Sequence, residues 1–346
     1  MRREQGRSRK RRRKQKIRRA AGLAVAVMLC LAGIKLFSEQ VIRMGKEPEI
    51  GTQDTVEGAG TAKTREEGRE TEPEESAAAE LIPTVDLAQL YSPCAVLTEA
   101  DSGRILAEHN GGSRIYPASL TKIMTAVIVL ENLEDLSETI VLPEEIFGML
   151  YVRHASLAGF EPGEEVCVRD LLYGILLPSG AECSIACAKR IAGSEEGFVE
   201  LMNRKAANLG MEDTHFCNAT GLHEEEHYST VRDMAVLLRY ALENDTLRKI
   251  LSTKSHTTEA TGFHPDGLTF TSTLFSFLDT AKVPGGEILG GKTGYTKEAG
   301  LCLASFADID GKEYILVTAG AAGSHRTEPF HVLDAQKVYG ELAARG

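Results

Sequence analysis

A chain of 346 residues with 42% hydrophobic and 26% charged side chains has the make-up of a globular protein able to bury a core, in one large domain or two ordinary ones. Its formal net charge of −11 is unevenly spread: residues 1–20 carry twelve Lys or Arg against the single acid Glu4, a local +11, which leaves −22 on residues 21–346. So acidic a body is not built to hold nucleic acid, and that class of partner is excluded for it.

In chain order, the basic run "KRRRKQKIRR" abuts "AAGLAVAVMLCLAGIKLF", residues 20–37, which is apolar apart from Lys35. Eighteen helical residues span roughly 27 Å, enough for a hydrocarbon core of about 30 Å if Lys35 extends toward the headgroups. Residues 1–19 therefore read as a basic cytoplasmic segment and 20–37 as a transmembrane anchor or uncleaved signal, which places everything after residue 37 outside the cytoplasm. A cleaved signal peptide has the same regions and is the alternative, with a secreted product; the missing small-x-small cleavage site favours the anchor. Residues 38–82, as in "DTVEGAGTAKTREEGRETEPEES", are rich in Glu, Gly and Thr and poor in large apolar residues, the composition of a disordered acidic linker. Such a tether has a reach on the order of 40 Å.

The folded part is expected over 83–346. "CAVLTEADSGRILAEHN" predicts two strands joined at "DSG". "YPASLTKIMTAVIVLENL" predicts a buried helix starting near Ser119, and "VRDLLYGILLPSGAECSIACAKRIAG" two helices broken at Pro178 and Gly180. Cys183 and Cys187, one turn apart among small residues, read as core rather than as a ligand pair. "EEGFVELMNRKAANLG" is a helix closed by Gly210, and "STVRDMAVLLRYALEN" one opened by a Thr230–Asp233 capping box. The strands "EILGGKTGYT", "GLCLASFADID" and "KEYILVTAGAA" and the helix "HVLDAQKVYGELAA" close the chain. Strands at both ends around a helical middle argue for an α/β domain with a mainly antiparallel sheet.

Three short pieces carry chemistry. Ser119 and Lys122 project from nearly the same helix face, so the amine can reach the hydroxyl. Serine is a poor nucleophile until a base takes its proton, and a buried lysine loses its own more readily because desolvation disfavours the ammonium. "PSGAE" brings Ser179, and "GGKTGYT" brings Lys292, Thr293 and Gly294: a cation, a hydroxyl for a substrate carboxylate, and a glycine that lets backbone come close. Three pieces in this order form a motif set used by penicillin-interacting enzymes.

Together with "ADSGRILAEHN", "AGFEPGEEVCVRDLLYGILLPSG", "NATGLHEEEHYSTVRDMA" and "GGKTGYTKEAGLCLASFA", these motifs make residues 83–346 resemble the D-alanyl-D-alanine carboxypeptidases of the low-molecular-weight penicillin-binding type. The resemblance implies a penicillin-recognising (β-lactamase/D,D-peptidase-like) fold, a mainly antiparallel sheet beside a helical cluster, with the site between them. It implies an acyl-enzyme on Ser119, Lys122 as base and Ser179 as proton relay to the leaving amine. Lys292 and Thr293 would hold the terminal carboxylate beside Gly294, and the N–H groups of Ser119 and Tyr295 would form the oxyanion hole. The implied partners are a peptidoglycan stem peptide ending in D-Ala-D-Ala and β-lactams as covalent inhibitors, with the membrane held through residues 20–37 and no metal or other cofactor.

One position departs from the family pattern: the second motif usually reads Ser-x-Asn, and here the third place is Ala181, with Glu182 beside it as a candidate substitute. A catalytically weak penicillin-binding pseudoenzyme or wall scaffold is therefore the alternative function. A β-lactamase reading fails for want of an E-x-x-L-N loop, since the chain has no Leu-Asn dipeptide. "HEEEH", residues 223–227, matches the H-E-x-x-H zinc pattern but follows Gly221 and precedes the Thr230 cap, the context of a loop rather than of the helix a zinc site of that type needs. The family's β-rich C-terminal domain is not expected, because residues 295–346 are taken up by the last strands and helix.

Overall fold

The computed structural model describes residues 85–324 and 326–343, so the basic segment, the apolar run and the linker expected over residues 1–82 lie outside the described residues. None of the described helices is long and apolar enough to cross a membrane.

Six strands form one antiparallel sheet: β1 (Cys94–Glu99), β2 (Ile105–His109), β7 (Lys282–Val283), β8 (Gly286–Thr296), β9 (Gly300–Ile309) and β10 (Lys312–Ala321), in the order β2-β1-β10-β9-β8-β7. Both faces are covered, which is why the central strands read as nearly continuous apolar runs. Along β9, Cys302, Ala304 and Phe306 face one core, while Leu303, Ala307 and Ile309 face the other. The second core is closed by the C-terminal helix α9 (Phe330–Ala343), whose Val332, Ala335, Val338 and Tyr339 are buried against the sheet. Burying an aromatic ring is favourable only if its hydroxyl finds a partner; that of Tyr339 donates to the Ser305 carbonyl at 3.0 Å.

On the opposite face lies the helical cluster: α1 (Thr121–Asn132), α2 (Glu144–Val152), α3 (Val168–Leu176), α4 (Ala181–Ala192), α5 (Glu195–Asn208), α6 (Val231–Leu242) and α7 (Asp245–Leu251). Residues 121–129 of α1 are all buried, as its all-round apolar sequence predicts, and α3, α4, α5 and α6 pack around it. The α3–α4 break falls at Leu177–Gly180, and Cys183 and Cys187 are buried core thiols. At the start of α6 the Thr230 hydroxyl accepts the Asp233 N–H at 3.0 Å. The Asp233 carboxylate instead takes the Asp213 N–H (3.1 Å) and the Thr214 hydroxyl (2.6 Å), so only half of the expected capping box forms. Two small two-stranded antiparallel sheets, β3 (Thr139–Val141) with β4 (Glu165–Cys167) and β5 (Ser255–Thr257) with β6 (Thr269–Thr271), and the short helix α8 (Thr273–Ser276) complete the fold.

Candidate active site

Ser119 lies in a tight 3-10 turn, Ala118–Leu120, that runs into α1 at Thr121, slightly later than the helix start expected from sequence. The turn is strained: Ala118 has φ +48°, a left-handed conformation that costs about 1–3 kcal/mol in a non-glycine residue and persists only when its surroundings enforce it. Two glycines supply the enforcement. A Cβ on Gly221 would lie 1.8 Å from the Ala118 carbonyl oxygen, and one on Gly294 would lie 3.1 Å from both the Pro117 oxygen and the Ser119 nitrogen. The Gly221 loop and strand β8 thus clamp the serine turn from two sides.

One turn along α1, Lys122 is 2% exposed. Its Nζ donates to the Ser119 hydroxyl at 3.2 Å and to the Thr220 carbonyl at 2.6 Å. Burial pulls its pKa from 10.5 down to about 8, with the Glu182, Cys183 and Glu195 side chains pulling the other way. An amine in this state can accept a proton near neutral pH.

Ser179 stands in the α3–α4 break at φ +69°, and its buried hydroxyl has no hydrogen-bond partner among the described residues. It is therefore bonded to neither Lys122 nor Lys292. Lys292, on β8, is 1% exposed and donates to the Thr293 carbonyl at 2.8 Å. Burial first, then the nearby Lys122 ammonium, push its pKa well down. Both lysines carrying a proton at once is disfavoured.

The residues converge on a cleft between sheet and cluster. A cavity of about 570 Å3 is lined by Ser119, Lys122, Ala181, Thr220, Gly221 and Tyr295 among others. A smaller one of about 40 Å3 is lined by Ser119, Ser179, Thr293, Gly294 and Tyr295, with Thr273, Phe277 and His331 behind them. Ser119 and Tyr295 border both spaces, so a ligand held over Ser119 has both the large and the small compartment within reach. Lys292 lies beneath this floor and lines neither space.

Several contributors escaped the sequence reading. Asn218 organises the loop that gives Lys122 its acceptor. Its Oδ1 accepts from the Thr220 N–H (3.2 Å), the Thr220 hydroxyl (3.0 Å) and the Gly221 N–H (2.8 Å), while Nδ2 donates to the Leu222 carbonyl at 2.9 Å. Glu182 does not stand in for the missing amide at 181. Its Oε1 accepts the N–H groups of Ala158 (2.6 Å) and Gly159 (3.0 Å), its Oε2 is buried without a partner, and burial pushes its pKa up. Residues 223–227 form a loop, and both His227 ring nitrogens are engaged. Nδ1 accepts from the Cys217 N–H at 2.9 Å, so Nε2 carries the hydrogen and donates to the Thr121 hydroxyl at 2.8 Å. Burial lowers its pKa to about 3.

A hydroxyl beside an amine titrating at about pH 8, with the serine N–H against strand β8, is equipment for acyl transfer. Comparison with known proteins points to the same group. The family model described as D-alanyl-D-alanine carboxypeptidase matches residues 81–323. D-alanyl-D-alanine carboxypeptidase DacF of Bacillus subtilis is 38% identical over 232 residues, 66% of this chain and 57% of that protein. The D-alanyl-D-alanine carboxypeptidase of Streptomyces sp. strain K15 is 31% identical over 251 residues, 68% of this chain and 82% of that protein. The crystal structure of the Streptomyces K15 DD-transpeptidase matches at a TM-score of 0.65 and 29% identity, covering 72% of this chain and 97% of that one. The chain thus spans little more than half the length of DacF but nearly all of the solved K15 structure. With all three motifs inside a family match that covers well over half of its residues, the chain belongs to the D-alanyl-D-alanine carboxypeptidase family.

Proposed function

We propose that the chain is a serine-type D-Ala-D-Ala carboxypeptidase that removes the terminal D-alanine from peptidoglycan stem peptides and is acylated by β-lactams. The observation that carries this reading is the 3.2 Å contact between Ser119 and a buried Lys122 whose pKa is about 8. Lys122 takes the Ser119 proton as Oγ bonds to the carbonyl carbon between the two D-alanines. The N–H groups of Ser119 and Tyr295 stabilise the resulting oxyanion, a device worth roughly 10²–10³ in rate per donor. The C–N bond then breaks, and the leaving amine takes a proton relayed through Ser179. Water then attacks the ester carbonyl as it gives a proton to Lys122, and Lys122 passes that proton to the Ser119 oxygen as the ester C–O bond breaks.

The terminal carboxylate is held by Thr293 over Lys292, with the acyl portion in the large cavity and the leaving residue in the small one. A carboxylate arriving there favours an ammonium on Lys292. Through the repulsion between the lysines it leaves Lys122 as the neutral one, the state a general base requires. In this reading residues 20–37 anchor the enzyme with its catalytic part outside the cytoplasm, or are removed as a signal.

Ala181 supports a second reading, a penicillin-binding scaffold of low turnover. The methyl group leaves Lys122 without a side-chain amide beside it, and Glu182 is committed elsewhere. Mass spectrometry of the full chain after incubation with a penicillin and, separately, with a pentapeptide ending in D-Ala-D-Ala decides between them. Acylation together with D-alanine release, both abolished in Ser119→Ala, is the expected result. Acylation without release supports the scaffold, and acylation retained in Ser119→Ala overturns the assignment of the nucleophile.

A further inference from the structure

Thr273 belongs to none of the three motifs, yet it touches two of the segments that carry them. Its backbone N–H donates to the Leu177 carbonyl at 3.2 Å, two residues before Ser179, and its hydroxyl lies 2.6 Å from that of Thr293. The preceding residue is itself fixed, the Ser272 N–H donating to the Lys254 carbonyl at 2.9 Å. Thr273 also lines the small cavity beside Ser179 and Thr293. One residue therefore links the break that bears Ser179, through its backbone N–H, to the sheet strand that bears Thr293, through its hydroxyl.

Two hydroxyls 2.6 Å apart share a single hydrogen along the line between them. If Thr293 supplies it, the Thr293 proton is spent on Thr273 and cannot be offered to a ligand. If Thr273 supplies it, the Thr293 proton is free to point into the cavity, and its oxygen is polarised by the bond it accepts. An anion in the cavity selects the second arrangement, because a chain running Thr273 to Thr293 to carboxylate strengthens each bond in it. A ligand with no carboxylate gains nothing from that choice.

We infer that Thr273 is a positioning residue that aims the Thr293 hydroxyl at the substrate's terminal carboxylate and so sets selectivity for free C-termini. The inference rests on the reading of Thr293 given under Proposed function. Its partner is a carboxylate in the 40 Å3 cavity, and its action is on carboxylate recognition rather than on the attack by Ser119.

The test compares acylation of the full chain by a penicillin and by the methyl ester of the same penicillin, measured by mass spectrometry for wild type, Thr273→Val and Thr273→Ser. Valine keeps the volume and removes the hydroxyl. The expected result is a loss of about three- to tenfold in the acylation rate with the free acid, the effect of one hydrogen bond in a desolvated site. The methyl ester rate should stay within about twofold of wild type, and serine should restore the free-acid rate. An equal loss with both compounds would make Thr273 a purely structural tie between the two walls and overturn the inference, as would a free-acid rate unchanged by valine. Thr273→Ala carries the same comparison where valine is not accommodated. A wild-type chain acylated by neither compound removes the serine-peptidase reading and this inference with it. Acylated wild type with an unaffected Thr273→Val removes this inference alone.

Discussion

Replacing Gly221 by alanine tests whether the clamp on the serine turn matters for chemistry as well as for folding. The new Cβ would lie 1.8 Å from the Ala118 carbonyl oxygen, 2.4 Å from its carbon and 3.0 Å from the Ser119 nitrogen. Real Cβ atoms essentially never come within 3.0 Å of such groups, so the two backbones must part by roughly 1 Å or more. Gly221 also has φ +78°, which adds about 1–2 kcal/mol of strain for a residue with a side chain. The neighbours that must move are backbone atoms, which cannot swing aside as the end of a flexible side chain could. The Gly221 N–H is tied to Asn218 at 2.8 Å and Ala118 is followed at once by α1, so the displacement falls on Ser119 or on the loop that holds Lys122. A misplacement of this size costs about 10²-fold in a positioned reaction. Gly221→Ala should therefore slow acylation by a fluorescent penicillin about a hundredfold, with a drop of several degrees in the unfolding midpoint. A variant acylated within about threefold of the wild-type rate would refute the view that this contact sets the nucleophile.

Two further outcomes follow from the lysine and its loop. Acylation should depend on the neutral form of Lys122, whose folded pKa of about 8 lies below the ordinary 10.5. The rate should accordingly rise about tenfold per pH unit below 8 and level off above it, and a rise continuing past pH 9.5 would show that the proton acceptor is not this lysine. The same shift makes the unfolded chain bind more protons than the folded one between about pH 8 and 10.5, so this group's contribution to stability increases with pH across that window. Asn218→Ala removes three accepted hydrogen bonds and at least one donated one, leaving buried loop groups unsatisfied at a cost of about 1–3 kcal/mol. Because the loop presents the Thr220 carbonyl to Lys122, acylation should fall together with the unfolding midpoint; a lower midpoint with unchanged acylation would separate the loop from the chemistry.

How far the sequence discloses this site depends on what kind of atom does the work. Ser119 and Lys122 were legible because helical periodicity alone brings positions three apart onto one face, and β9 and β10 because apolar runs of that length fit strands buried on both faces. The short pieces β3, β4, β5, β6, α7 and α8 carry no such signal, since a few residues cannot show a period and their conformation is set by what they pack against. The partner of Lys122 was hidden for a different reason: it is a main-chain carbonyl, and any residue type at 220 supplies one. What the sequence does specify is the residue that aims that carbonyl, Asn218, whose amide meets donors and acceptors of its own loop at once. Glu182 shows the converse. Adjacency to Ala181 suggested a replacement for the absent amide, but position 182 lies about 100° further round the helix, where the carboxylate meets the N–H groups of Ala158 and Gly159. Ala181 itself faces the large cavity and Glu182 faces the loop beneath it. The charge that Glu182 lends Lys122 therefore acts through space and not by contact with a substrate, and it acts to raise the lysine pKa, against the burial that lowers it. The base near pH 8 is the balance of burial against Glu182, Cys183 and Glu195, and none of these can be read from a Ser-x-x-Lys motif by itself.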